Sequence, residues 1–204
     1  MNNSPARRLP VGLVGAWALL TGPTGNPVHS MVVAGCALGG GVGALLLAPP
    51  DWTSWQLLLA VVLAVDLIGG LAAGALASGG SDRRWGRTTS ARLLVIGAHV
   101  VHPALAVLLF SARWEWGLLL FLTMAGAVLL LPRVPADLAV AVALAATTIA
   151  LTLASTAFGG PPDGLTWVAV AYLLKLVVAG VVGRGAADAG PGPSAGSRRK
   201  SAVG

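Results

Sequence analysis

Charge is scarce in this chain. Asp, Glu, Lys and Arg make up 10% of it, where a soluble domain carries about a quarter, and this excludes a water-soluble fold with a charged surface. Cys36 is the single cysteine and lies in an apolar run, so there is neither a disulfide framework nor a cysteine metal cluster. Aromatic residues amount to 5%, too few to wall a chromophore, which argues against a retinal Schiff base on Lys175. The three histidines are far fewer than membrane iron oxygenases carry. Of the seven acids, Asp66 alone sits in the interior of an apolar run.

Hydrophobic residues fill the space instead, at 56% with a mean hydropathy of +0.83. Such a chain is an integral membrane protein, and the lipid bilayer is its first partner. Its 204 residues leave room for roughly six helices of about 20 residues with short connections. The expected fold class is therefore all-α: a polytopic bundle of about six transmembrane helices, with a seventh, partial helix at the N-terminus. The formal net charge of +6 falls in loops and tails, where the positive-inside rule accounts for it, so no nucleic-acid partner is expected.

Three regions follow along the chain. Residues 1–27 are a basic segment with Arg7 and Arg8 and a short apolar stretch, Leu9 to Leu20, ended by Thr21-Gly22-Pro23. This resembles a signal peptide without an A-x-A-like cleavage site, and twelve residues reach only about 18 Å, so it reads as a retained interfacial or half-spanning helix. Residues 28–183 form the six-helix domain, with spans expected over Val28 to Ala48, Trp52 to Ser78, Leu93 to Ala112, Gly117 to Leu131, Asp137 to Phe158 and Leu165 to Gly183. Residues 184–204, rich in Gly, Pro, Ala and Ser and ending near Arg198-Arg199-Lys200, read as a disordered basic cytoplasmic tail.

Local signals within the spans sharpen this plan. Gly35, Gly39 and Gly43 recur every four residues and line one face open to close approach by another helix, within the chain or in a homo-oligomer. Gly70 and Gly74 follow Asp66 at i+4 and i+8, so the Asp66 face should pack inward. Pro103 has no N–H to donate to the carbonyl of His99, which frees that acceptor and predicts a kink. Thr147, Thr148 and Thr152 can bond to their own helix backbone or a neighbouring one.

The basic residues fix an expected orientation. With six spans and both termini cytoplasmic, Arg7, Arg8, Arg83, Arg84, Arg87, Arg92, Arg133, Arg184, Arg198, Arg199 and Lys200 lie inside and only Arg113 outside, with Lys175 inside a span, which accounts for all thirteen Lys and Arg. The same plan places Trp52, Trp55, Trp114, Trp116 and Trp167 at the outer interface, where tryptophans gather.

Depth then links the ionisable residues. At about 1.5 Å per residue from the inner ends, Asp66 lies roughly 18 Å deep, His102 about 14 Å, Lys175 about 12 Å and His99 about 9 Å. Ionisable groups within a membrane are costly and mark functional sites by default, and clustering them lowers the cost of each. Asp66, His99, His102 and Lys175 are therefore the candidate catalytic residues. Each also has a plain structural reading: an interhelical ion pair for Asp66, packing for the histidines, snorkelling for Lys175.

Four chemistries fit the set. Acid–base catalysis would use Asp66 as acid or base, a histidine as proton partner and Lys175 as a fixed charge or anion-binding group. Proton-coupled transport would use the same relay to move cargo. A metal site of two histidines and one carboxylate, suited to zinc or non-haem iron, ranks below both, and the Schiff base last. No cofactor is expected, and no metal is assigned.

The order of D-x-x-G-G (Asp66 to Gly70), Arg84-Trp85, H-x-x-H-P (His99 to Pro103) and a lysine on the last span resembles a small group of poorly characterised bacterial polytopic membrane proteins, over about Trp52 to Gly183. The general plan is also similar to the membrane-bound cyclases of meroterpenoid pathways, thought to protonate an epoxide or alkene of a prenylated substrate. The resemblance implies a multi-pass protein of the bacterial inner membrane and a hydrophobic small-molecule substrate. The expectation is an acid–base enzyme of the isomerase or terpene cyclase kind acting on a lipid or isoprenoid. The alternatives are a small proton-coupled transporter or channel, or a non-catalytic membrane subunit.

Overall fold

The computed structural model describes residues 27–76 and 88–182 of the chain. The helix read over Leu9 to Leu20, the loop arginines Arg83, Arg84 and Arg87, and the basic tail lie outside the described residues.

Six helices make up the fold, and no strand occurs among the described residues. Five are long and apolar enough to cross a membrane: α1 (Pro27–Leu46), α2 (Ser54–Leu76), α3 (Thr89–Leu109), α4 (Trp114–Arg133) and α5 (Ala136–Thr156); α6 (Thr166–Val182) is apolar and shorter. Their ends carry identifiable signals. Pro27 opens α1, at a position where its missing N–H loses no helical bond. Thr53 and Gln56 close a reciprocal capping box at the start of α2, with Gln56 N–H donating to Thr53 Oγ1 at 3.3 Å and Thr53 N–H to Gln56 Oε1 at 2.9 Å. The same glutamine donates from Nε2 to the Leu109 carbonyl at 2.8 Å, tying the start of α2 to the end of α3. Thr88 caps α3, and Pro135 stands directly before α5.

The connections α1–α2, α3–α4 and α5–α6 meet at one end of the bundle. Trp52 and Phe110 pack ring to ring at 4.9 Å. Gly164, at φ 77°, comes so close to Pro49 and Trp52 that a Cβ there would lie 2.5 Å from Pro49 Cδ, and a Cβ at Gly159 would lie 2.6 Å from Arg113 Cδ. With every second connection at the same end, the helices run alternately up and down. Ser111 takes φ 56° in the turn before α4, and Trp114 to Trp116 form the first turn of that helix.

At the centre is α6, packed against α2, α4 and α5. Val168, Tyr172, Leu173, Val177 and Val181 along it, and Leu165 just before it, are all fully buried. The outer surface carries large apolar side chains such as Met31, Leu38, Leu94, Leu108 and Ile149, the arrangement lipid requires. The structure is thus a polytopic helical bundle.

Two expectations are corrected. Gly35, Gly39 and Gly43 have nothing within 4 Å of where a Cβ would be, so among the described residues they do not form the seam of α1. That seam is Val33, Ala37, Gly40, Gly41 and Ala44. A Cβ on Gly40 would lie 2.8 Å from Ile68 Cδ1, and one on Gly69 3.0 Å from Ala37 Cβ. Trp116 does not face outward with Trp114 either: it is fully buried, in one core cluster with Leu120 and Met124, because a step of two along a helix turns the side chain to a different face from Trp114, which is exposed. Trp55 is exposed, while Trp52 and Trp167 are half-buried.

Candidate functional site

The site is built where three helices depart from regular geometry. In α2 the stretch Val65–Gly69 is a π-helical turn, and in α6 the stretch Leu174–Val178 is another. Single π turns inside α-helices are rare and recur at functional sites; these two contain Asp66 and Lys175. The third departure is in α3, which splits at Val100 into Thr89–His99 and Val101–Leu109. His99 ends the first part and His102 lies in the second, with Pro103 beside it, as the missing proline N–H predicts.

These breaks bring together residues 36 and 109 positions apart in sequence. Asp66 Oδ2 accepts from Lys175 Nζ at 2.6 Å and from His102 Nε2 at 2.7 Å. Lys175 Nζ also donates to the Asp66 carbonyl at 3.0 Å, so the lysine grips both the side chain and the widened turn of α2. Gly70 lets the lysine pass: a Cβ there would lie 2.6 Å from Lys175 Cε and 2.9 Å from its Nζ. The Asp66 face thus packs inward as its spacing implies, and Gly74 is buried as well.

The donors are enclosed and the acceptor is not. The side chains of His102 and Lys175 are 9% and 11% exposed, while that of Asp66 is 37% exposed. Among the described residues Oδ1 of Asp66 accepts no hydrogen bond. The carboxylate is therefore held by one oxygen, and the other is unbonded among the described residues. Moving charges out of water costs several kcal/mol per ion unless they are paired and hydrogen-bonded, and here the Lys175 ammonium and the His102 ring supply the pairing.

His99 stands one ring away from this contact. Its Nδ1 donates to the Val95 carbonyl at 2.8 Å, and its ring stacks on His102 with centroids 5.5 Å apart and planes 10° from parallel. The bond to Val95 places the Nδ1 proton, leaving Nε2 as the acceptor of the neutral ring. His102, whose Nε2 faces the carboxylate, has its Nδ1 buried without a partner among the described residues. With parallel rings and one His99 nitrogen committed to its own helix, the two histidines and Asp66 do not converge on a common point. No group of three His, Cys, Asp or Glu among the described residues could hold a metal ion.

Comparison with known protein families, characterised proteins and solved structures finds no match. The site therefore stands on its own geometry. Of the four residues singled out in the sequence, Asp66, His102 and Lys175 touch, and His99 lines the next layer. Tyr172 escaped the sequence reading. Its hydroxyl donates to the His99 carbonyl at 3.2 Å, and its ring lies 5.8 Å from that of His102. The available signal was its position: the only tyrosine in the chain lies three residues before Lys175, and residues three apart share a helix face. Of the threonines, Thr148 and Thr152 do bond to their own helix backbone, whereas the Thr147 hydroxyl is buried and has no partner among the described residues.

Proposed function

We propose that Asp66, His102 and Lys175 form a proton-transfer site working at membrane depth, and that it performs acid–base chemistry of the isomerase or cyclase kind on a lipid or isoprenoid. The observation that carries this reading is the asymmetry of the carboxylate. Oδ2 is fixed by two donors, while Oδ1 accepts no hydrogen bond among the described residues and the side chain is the least enclosed of the three. Asp66 is the group that gives and takes the proton. His102 is its exchange partner, and Lys175 holds the negative charge in place when the proton has left. A positioned acid or base of this kind contributes about 10²–10⁴-fold to rate.

A second reading, proton-coupled transport, is favoured by one observation: all three helices are irregular at the site. Irregular backbone at membrane depth is tolerated where it is buried in protein or lines a cavity, and transporter sites are commonly built from such interrupted helices.

The sidedness proposed for either activity has both termini on the cytoplasmic side of a bacterial inner membrane. In support, among the described residues the end where three connections meet carries Arg113 against Asp51, Glu115 and Asp163, and positive charge concentrates on the cytoplasmic side.

The test compares lipid extracts of cells carrying the chain or its Asp66→Asn variant by mass spectrometry, alongside proton uptake into vesicles reconstituted with each. A lipophilic product that disappears with Asp66→Asn supports the enzyme. Proton movement without a product supports transport. Identical extracts and identical vesicles would sink both.

A further inference from the structure

We infer that Tyr172 is a positioning residue: its hydroxyl stands in for the backbone donor that Pro103 lacks, and so fixes the break in α3 that aims His102 at Asp66. The proposal deepens the proton-transfer reading and rests on it for its meaning, although its geometry is independent of any reaction.

In an unbroken helix the N–H of residue 103 would donate to the carbonyl of His99. Proline has no such proton, and a carbonyl left unsatisfied in a membrane-embedded core is costly. The Tyr172 hydroxyl donates to that carbonyl from a residue that is 1% exposed. The donor is anchored on α6, in the turn just before the π segment that carries Lys175. One helix therefore presents two groups to the site. Lys175 binds the carboxylate directly, and Tyr172 holds the end of the helical segment from which His102 follows after one turn residue.

The contact has a further consequence for the ring. Tyr172 lies against His102 at 5.8 Å with planes inclined at 49°, and His99 covers His102 at 5.5 Å. The imidazole is thus confined between a ring on its own helix and one on α6, with Nε2 on Asp66 Oδ2 at 2.7 Å. Without the hydroxyl, the His99 carbonyl has no donor from α6, the break in α3 is free to relax, and the direction of His102 changes with it.

The test uses the logic of the missing N–H. Tyr172→Phe removes the hydroxyl and keeps the ring; Pro103→Ala supplies a backbone N–H that can reach His99. The full chain is reconstituted in lipid with isotope-labelled histidine, and the His102 side-chain nitrogen resonances are assigned with His102→Gln. The expected result is that Tyr172→Phe shifts the His102 resonances by more than a linewidth, and shifts them less than half as far when Pro103→Ala is already present. No shift, or a shift half as large or larger in the Pro103→Ala background, would overturn the proposal, since a loss of general packing acts equally in both. If Asp66→Asn and Tyr172→Phe leave every activity unchanged, the functional reading falls, while the resonance comparison still decides the role of Tyr172.

Discussion

One carboxylate oxygen, Oδ2 of Asp66, takes both Lys175 and His102, so each of the three residues depends on the others. Breaking a buried pair by removing one partner strands the other, at about 3 kcal/mol here, the low end of the usual range because the Asp66 side chain is 37% exposed. Asp66→Leu alone should therefore unfold more easily in detergent, and Asp66→Leu with Lys175→Met should recover most of the loss; a double variant no more stable than the single one would contradict the pairing. Gly70→Ala should likewise displace Lys175, whose Cε lies 2.6 Å from the new methyl, and lower both stability and activity. Adding Lys175→Met should restore neither, because it leaves Asp66 without its ammonium, as thermal melts and turnover would show. At this scale Asp66, His102 and Lys175 were legible because ionisable residues in apolar runs are few and their depths agree. Tyr172 was not, because an apolar run containing a tyrosine has the same composition whether the hydroxyl bonds to a carbonyl or merely packs.

The element scale was harder to read. Span positions follow from composition and from Pro49, Pro50, Pro132 and Pro135, and the described helices start and stop close to them. The broken α3 follows from Pro103. The π turns in α2 and α6 do not, since no proline marks Val65 to Gly69 or Leu174 to Val178; what sets them apart is that Asp66 and Lys175 within them meet across two helices. Faces were the least legible feature. An amphipathic helix declares its buried side by contrast, but a helix apolar all round carries no such contrast. The regular spacing of Gly35, Gly39 and Gly43 drew attention, while the adjacent Gly40 and Gly41 make the contact. It follows that Gly40→Leu should destabilise α1 against α2 and Gly39→Leu should be nearly neutral, measured as the detergent melting temperature of each. Gly164→Ala belongs to the same scale. A residue other than glycine at a positive φ costs about 1–3 kcal/mol, here at φ 77° with Pro49 and Trp52 in the way, so the end where the connections meet should melt first.

For the molecule as a whole, the meeting of three connections at one end makes a prediction about sides. In a Cys36→Ser background, Asp51→Cys and Asp163→Cys should react with a membrane-impermeant thiol reagent from the same face, and Arg133→Cys only from the opposite one. Labelling of all three from one face would contradict the alternating path. The up-and-down plan was legible from six apolar runs joined by short connections; which helix stands in the middle was not, because burial among apolar helices leaves no mark on composition. That central helix, α6, is also the last of the six to leave the ribosome. Until it arrives, Asp66 on α2 has His102 of α3 but not its lysine, and the carbonyl of His99 lacks the Tyr172 hydroxyl. Tyr172 and Lys175 therefore enter together, after α2 and α3, and a chain stalled before Thr166 leaves Asp66 without its lysine.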